Sequence, residues 1–172
     1  IYANAGKNSP VALLCASLMI RGIVVLSNMT RVEEVQRILE ILESIGVVVK
    51  WRQLDVVELN TKGLLHMEKI DRRSCEATRA SLLLLGALAA REKHYKLYKS
   101  GGCKLGARTV KPHVFALNKF GVQVESKRTF YDVSNKPLKG TNVVMYESGD
   151  TPTENAVMAA VFATGVSVIK FC

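Results

Sequence analysis

The sequence predicts an α/β (mixed α+β) domain built from pseudo-symmetric, βα-rich repeats, on three observations. Short β-branched runs alternate with longer segments whose apolar residues recur at helical spacing. The octet Leu42-Glu-Ser-Ile-Gly-Val-Val-Val matches Leu117-Asn-Lys-Phe-Gly-Val-Gln-Val in pattern, 75 positions further on. A third start, Thr153-Glu-Asn-Ala-Val-Met-Ala-Ala-Val-Phe-Ala-Thr-Gly165, runs into the strand-like Val166–Phe171. Residues 1–75 then make a first repeat, 76–140 a second, and 141–172 the start of a third. Such ordering favours a layered domain over a doubly wound dinucleotide fold. Amphipathic elements also resemble one another by chance, so the repeat is an expectation.

Each element has its local reason. Pro10–Ile20 is apolar nearly all round, as in a helix buried against a sheet. Gly22 ends it and Ile23–Ser27 reads as a strand. Thr30 with Glu33 forms a capping box for a helix over Arg31–Ile45, where Val35, Ile38, Leu39, Leu42 and Ile45 share one face. Gly46 closes that helix and Val47–Trp51 follows as a strand. Leu54–Leu59 and Leu64–Lys69 read as a further strand pair joined through Asn60–Gly63. In the second repeat Thr78–Arg91 is an apolar helix, His94–Lys99 a strand, Thr109–Phe120 a helix stopped by Gly121, and Val122–Glu125 a strand.

Composition limits what the chain can do. It has 172 residues, 48% of them hydrophobic, with 12 Gly and 4 Pro. That excludes a disordered or low-complexity chain. The longest apolar runs, Val11–Ile20 and Leu82–Ala90, fall far short of the roughly 20 residues of a membrane span. Val11–Ile20 has the length of a signal-peptide core, but no small-residue cleavage site follows. Cys15, Cys75, Cys103 and Cys172 show no paired spacing, which favours free thiols in a reducing, cytoplasmic setting. His66, His94 and His113 are isolated, so no metal site is expected. The first residue is Ile1 and the last follows directly on a strand, so both ends look cut.

The net charge of +9 is concentrated. Residues 91–128 carry 10 basic and 2 acidic side chains, against +2 for 1–90 and −1 for 129–172. An anionic partner is expected there. Within this segment Ser100-Gly-Gly-Cys-Lys-Leu-Gly-Ala-Arg108 is a long loop where the first repeat has only Asn28-Met29-Thr30. It is neither a Walker loop nor G-x-G-x-x-G. Gly101, Gly102 and Gly106 permit close approach of backbone to a ligand. Lys99, Lys104, Arg108 and Lys111 beside the start of a helix make a natural phosphate site. Cys103 lies among these cations, which lower a thiol pKa. A general acid must instead hold its proton, so the two demands compete.

Taken with His113, this loop resembles a known family. Gly6-Lys7-Asn8 before an apolar helix, Thr78-Arg79-Ala80-Ser81, and Thr153-Glu154-Asn155 complete the resemblance, in order along essentially the whole chain. The family is that of the UDP-N-acetylglucosamine enolpyruvyl transferases, the 1-carboxyvinyltransferases that open peptidoglycan synthesis. The resemblance implies pseudo-symmetric βαβαββ repeats forming one inside-out α/β barrel-like domain. It also implies enolpyruvyl transfer from phosphoenolpyruvate to a sugar 3-hydroxyl, without cofactor or metal. By the same resemblance Cys103, in a catalytic loop over 99–110, protonates phosphoenolpyruvate and is the residue alkylated by fosfomycin. Lys7 and Arg108 hold the phosphate and carboxylate, Asn8 contacts the sugar substrate, and Arg79 lies near the anionic substrates. Thr109, Val110, Lys111, His113 and Thr151 match the uridine-side wall.

The chain also departs from the family pattern. Lys111 stands where the family has Asp, Pro112 is shifted, and Gly149-Asp150-Thr151-Pro152 replaces a Ser-Val-Gly-type loop. Family members are more than twice as long and have a second domain bearing a catalytic Asp, so the chain alone is expected to be a poor or inactive catalyst. The partners implied are small molecules, with neither nucleic acid nor membrane; the oligomeric state is left open. Three alternatives remain: a shikimate-3-phosphate-type transferase, a nucleic-acid site using His94–Lys99, and a non-catalytic interaction domain.

Overall fold

In the computed structural model of the chain, residues 6, 8–100 and 109–172 are described. Helix α1 (Asn8–Ala16) buries Pro10, Val11, Leu14 and Cys15 and tightens into a 3-10 turn over Ser17–Met19. Strand β1 (Ile23–Leu26) follows. Helix α2 (Glu33–Ser44) drives Val35, Ile38, Leu39, Ile41 and Leu42 into the core. Gly46, at φ +100°, then turns the chain into β2 (Val48–Trp51); only glycine takes that conformation without strain. Strand β3 (Val57–Asn60) lies between its two predecessors and pairs antiparallel with both, so that Val25 and Lys50 face Glu58 from either side.

The next sheet has the same arrangement. Strands β4 (His94–Tyr98) and β5 (Val122–Ser126) flank β6 (Phe130–Asn135), again antiparallel. Helix α5 (Lys111–Phe120) precedes β5 and ends on left-handed Gly121. Strands β7 (Asn142–Val144) and β8 (Val168–Lys170) pair in parallel, with helix α6 (Asp150–Val161) as the crossover a parallel pair needs.

The helices lie towards the middle and the sheets outside. Helix α4 (Leu84–Ala87) is buried at every position and packs against α1 and α6. Along β3 Val57 and Leu59 point into the core, while Ile23, Val25 and Val48 of the flanking strands are exposed. This is the mixed α/β architecture expected from the sequence. One side chain ties three of its segments together. The Arg91 guanidinium donates to Leu18 O at 2.9 Å, Thr61 O at 2.5 Å and Gly63 O at 2.8 Å.

Several local expectations are corrected. Thr30 does not cap α2: the N-cap is Val32, and the Thr30 hydroxyl is buried without a partner among the described residues. Glu33 and Glu34 in the first turn face the positive end of the helix dipole instead. Leu64–Lys69 is not a strand. Leu64 is exposed, Met67–Lys69 is a 3-10 turn, and β3 already has a partner on each edge. The long helix expected over Thr78–Arg91 is a 3-10 turn (Arg79–Leu83) followed by α4. There the Ser81 hydroxyl bonds back to Thr78 O at 2.9 Å and competes with regular helix. Helix α3 (Arg72–Ala77), capped by Asp71 accepting from Ser74 N at 2.6 Å, and strands β6 and β7 were not anticipated.

Candidate active site

Three helices begin around one cleft. Asn8 opens α1, Lys111 opens α5 and Asp150 opens α6. Asn8, Thr109 and the Gly149–Pro152 turn line the space between them, a cleft of about 690 Å³. That volume suits a small-molecule ligand. Each helix start carries the positive end of its dipole, although Pro10, Pro112 and Pro152 leave one N–H fewer in each first turn.

Thr78 and Arg79 also line the cleft, from the start of the 3-10 turn. Thr78 Oγ1 accepts from Ala80 N at 3.2 Å and sets that turn. The Arg79 guanidinium donates to Thr109 O at 3.0 Å, holding the approach to α5 against it. Thr109 Oγ1 in turn accepts from Lys111 N at 3.1 Å. At the opposite wall Thr153 Oγ1 donates to Gly149 O at 2.8 Å within the first turn of α6.

The described lining also carries the carboxylates Glu34, Glu147, Asp150 and Glu154. Burial, and after it the charge of Asp150, pushes the Glu154 carboxyl above its ordinary range. A carboxyl so placed loses its proton at a higher pH than a free one.

Of the residues singled out from the sequence, Asn8, Arg79, Thr109 and Thr151 come together in this cleft. Lys111 is exposed in the first turn of α5, and Val110 is half-buried as its N-cap. His113 is an interior residue, 1% exposed, with Nδ1 2.8 Å from Asn155 Nδ2. Burial and the neighbouring Arg79 charge lower its pKa to about 4. Lys7, Cys103, Lys104 and Arg108 lie outside the described residues.

Sequence reasoning names Thr78, Glu154 and Asn155 as motif residues and Asp150 in a divergent loop but gives none of them a role, and it passes over Glu34 and Glu147. The signal for Asn155 was a polar residue set among Ala156, Met158 and Ala159 on the buried face of α6. The basic segment is also less uniform than its charge suggests. Lys99 turns to the Tyr131 ring, Ser126 Oγ and Lys127 O; Lys96 lies over Phe130 and Lys119 over Phe115. These cations belong to the second sheet and to α5.

Cys15 and Cys75 are fully buried free thiols with pKa values pushed up by burial, Cys75 to about 12, whereas Cys172 is exposed. Among the described residues no group of three His, Cys, Asp or Glu is placed to hold a metal ion. No described helix is long and apolar enough to cross a membrane.

The family model described as EPSP synthase (3-phosphoshikimate 1-carboxyvinyltransferase) matches residues 3–171. A UDP-N-acetylglucosamine 1-carboxyvinyltransferase of Campylobacter fetus is 34% identical over 98% of the chain and 40% of its own length. That of Helicobacter pylori is 32% identical over 98% of the chain and likewise 40% of its own length. The chain thus spans about two fifths of the length of the curated relatives it matches. Among solved structures, the enolpyruvyl transferase NikO from Streptomyces tendae superposes with a TM-score of 0.76 at 15% identity. That match covers 94% of the chain and 38% of NikO, and shows a common fold.

Proposed function

Because the chain belongs to the EPSP synthase (3-phosphoshikimate 1-carboxyvinyltransferase) family, we propose that it serves enolpyruvyl transfer from phosphoenolpyruvate to the 3-hydroxyl of UDP-N-acetylglucosamine. The observation that carries this reading is the convergence of Asn8, Arg79, Thr109 and Thr151 on one cleft among three helix starts. Relatives named for that reaction align over nearly the whole chain, which favours the nucleotide sugar over shikimate 3-phosphate.

In this reading Cys103 delivers a proton to C3 of phosphoenolpyruvate. The sugar 3-hydroxyl oxygen then bonds to C2, the C2–O bond to phosphate breaks with the hydroxyl proton leaving on the phosphate, and the C3 proton returns to the Cys103 thiolate as the double bond re-forms. Lys7 and Arg108 hold the phosphate and carboxylate. In the sequence they directly precede Asn8 and Thr109. Cations that hold that phosphate stabilise the charge developing as it departs. Asn8, Arg79, Thr109, Val110, Lys111 and Thr151 form the side that receives the nucleotide sugar. The reaction is cytoplasmic and uses two small-molecule substrates, with no cofactor, metal or nucleic acid. Residues 1–75, 76–140 and 141–172 are two repeats and the start of a third, with the catalytic loop at 99–110.

Intact-mass and peptide analysis after fosfomycin treatment tests this. A single adduct on Cys103 is expected, at a rate that UDP-N-acetylglucosamine changes and shikimate 3-phosphate does not. Cys172 is the internal control, because it is exposed. Equal labelling of Cys172 or Cys75 would overturn the assignment.

A further inference from the structure

One helical turn inside the cleft, three helices meet on a single side chain. Asn155 is fully buried. Its Oδ1 accepts from Gly86 N at 2.7 Å, its Nδ2 donates to Leu82 O at 3.0 Å, and the same Nδ2 lies 2.8 Å from His113 Nδ1. Donor and acceptor counting assigns every role. Gly86 N–H can only donate, so the amide oxygen faces it and the NH₂ faces the other two groups. Leu82 O can only accept, and His113 Nδ1 must accept the remaining proton. The imidazole is therefore neutral, with its own proton on Nε2.

Each segment joined by this amide continues into the cleft. The 3-10 turn leading to Leu82 and α4 carries Thr78 and Arg79. His113 directly follows Pro112 and lies one turn beyond Thr109, and both of those residues line the cleft. Asn155 lies one turn beyond Thr151 on α6. The contact between α4 and α6 is also fixed at backbone level, since a Cβ on Gly86 would come within 2.5 Å of Asn155 O.

We propose that His113 and Asn155 are positioning residues. The neutral imidazole, acting through the Asn155 amide, fixes the first turn of α5 relative to the first turn of α6, and with them the two walls that receive the nucleotide sugar. The identity of that ligand rests on the function proposed above; the positioning role does not. His113 works from the interior through Asn155, where the resemblance put it among the residues of the uridine-side wall.

The test uses the 172-residue chain labelled with ¹⁵N. In wild type, imidazole ¹⁵N shifts of His113 are expected to show an unprotonated Nδ1 and a protonated Nε2. A protonated Nδ1 overturns the proposal, whatever the variants do. His113→Asn keeps an acceptor near the place of Nδ1, whereas His113→Phe removes it. Titration with UDP-N-acetylglucosamine is expected to give His113→Asn an affinity close to wild type and His113→Phe an affinity about 10-fold weaker, the scale of one lost buried hydrogen bond. If His113→Asn is as weak as His113→Phe, the ring contacts the ligand directly; if His113→Phe binds like wild type, the ring positions nothing. Either result overturns the proposal.

Failure of wild type to bind would count against the proposed function alone. The amide shifts of Thr109 and Thr151 then decide the positioning role. His113→Phe is expected to move both and His113→Asn neither, and any other pattern overturns it. If His113→Phe does not fold, Asn155→Ala replaces it: loss of its NH₂ is expected to shift the His113 Nδ1 resonance, and an unmoved resonance overturns the proposal.

Discussion

Gly86→Ala puts a new Cβ 2.5 Å from Asn155 O, 2.7 Å from its Oδ1 and 2.9 Å from its Cα. Two of these atoms are backbone, so no flexible side chain can swing away. Reaching the 3.4 Å of ordinary van der Waals contact requires α6 to withdraw by about 0.9 Å. Overpacking on that scale costs about 1–3 kcal/mol. The shift also breaks the bond from Gly86 N–H to Asn155 Oδ1 between two fully buried partners, at about 1–3 kcal/mol. Alanine returns up to about 1 kcal/mol through helix propensity. The net expectation is destabilisation of about 3 kcal/mol. With a urea slope of about 2 kcal/mol per molar, the unfolding midpoint falls by about 1.5 M. Equilibrium unfolding followed by far-UV circular dichroism measures this. Gly63→Ala is the control, because its Cβ would meet nothing within 4 Å and its φ is not positive; its stability should stay within about 0.5 kcal/mol of wild type. Equal midpoints for the two variants would refute the close-approach reasoning.

Two further stability effects follow from buried groups. The His113 pKa of about 4, set by burial and then by the Arg79 charge, lies below the 6.5 of the unfolded chain. The unfolded state therefore binds the extra proton first. Stability is complete above pH 6.5 and falls by about 3 kcal/mol as the pH drops to 4. Urea midpoints across that window should lose this slope in His113→Asn, while the raised carboxyls Glu92 and Glu154 contribute equally to both proteins; an unchanged slope would count against a neutral buried ring. Arg91→Lys is expected to cost about 1–3 kcal/mol and to recover less than half of the loss in Arg91→Ala. A single ammonium cannot reproduce a planar fork that serves three separate carbonyls; full recovery in the same urea assay would refute that.

Most of the fold was legible where the sequence carries a period. Helix α2 announces itself through Val35, Ile38, Leu39 and Leu42, and all four are buried. Gly46 and Gly121 mark the ends of α2 and α5, and both have positive φ. Elements with weak periodicity escaped notice. Helix α3 has six largely polar residues; β6, the central strand of its sheet, does alternate Tyr131 and Val133 with Asp132 and Ser134, but over only six residues. The Thr30 capping box failed because the motif permits a cap without requiring one.

By itself the sequence determined the class of fold and the family resemblance, which in turn implied a substrate group of Asn8, Arg79, Thr109, Val110, Lys111, His113 and Thr151. These depend on residue type and spacing along the chain. Tertiary structure alone decided that Lys96, Lys99 and Lys119 lie against aromatic rings of the second sheet and α5. It also decided that Glu34, Glu147, Asp150 and Glu154 share a cleft with Arg79. His113, which the resemblance put in the uridine-side wall, lies in the interior with Nδ1 2.8 Å from an amide 42 positions away. The reason is physical. Periodicity and turn chemistry act over a few residues, whereas which buried donor meets which acceptor is settled only when helices distant in sequence pack together.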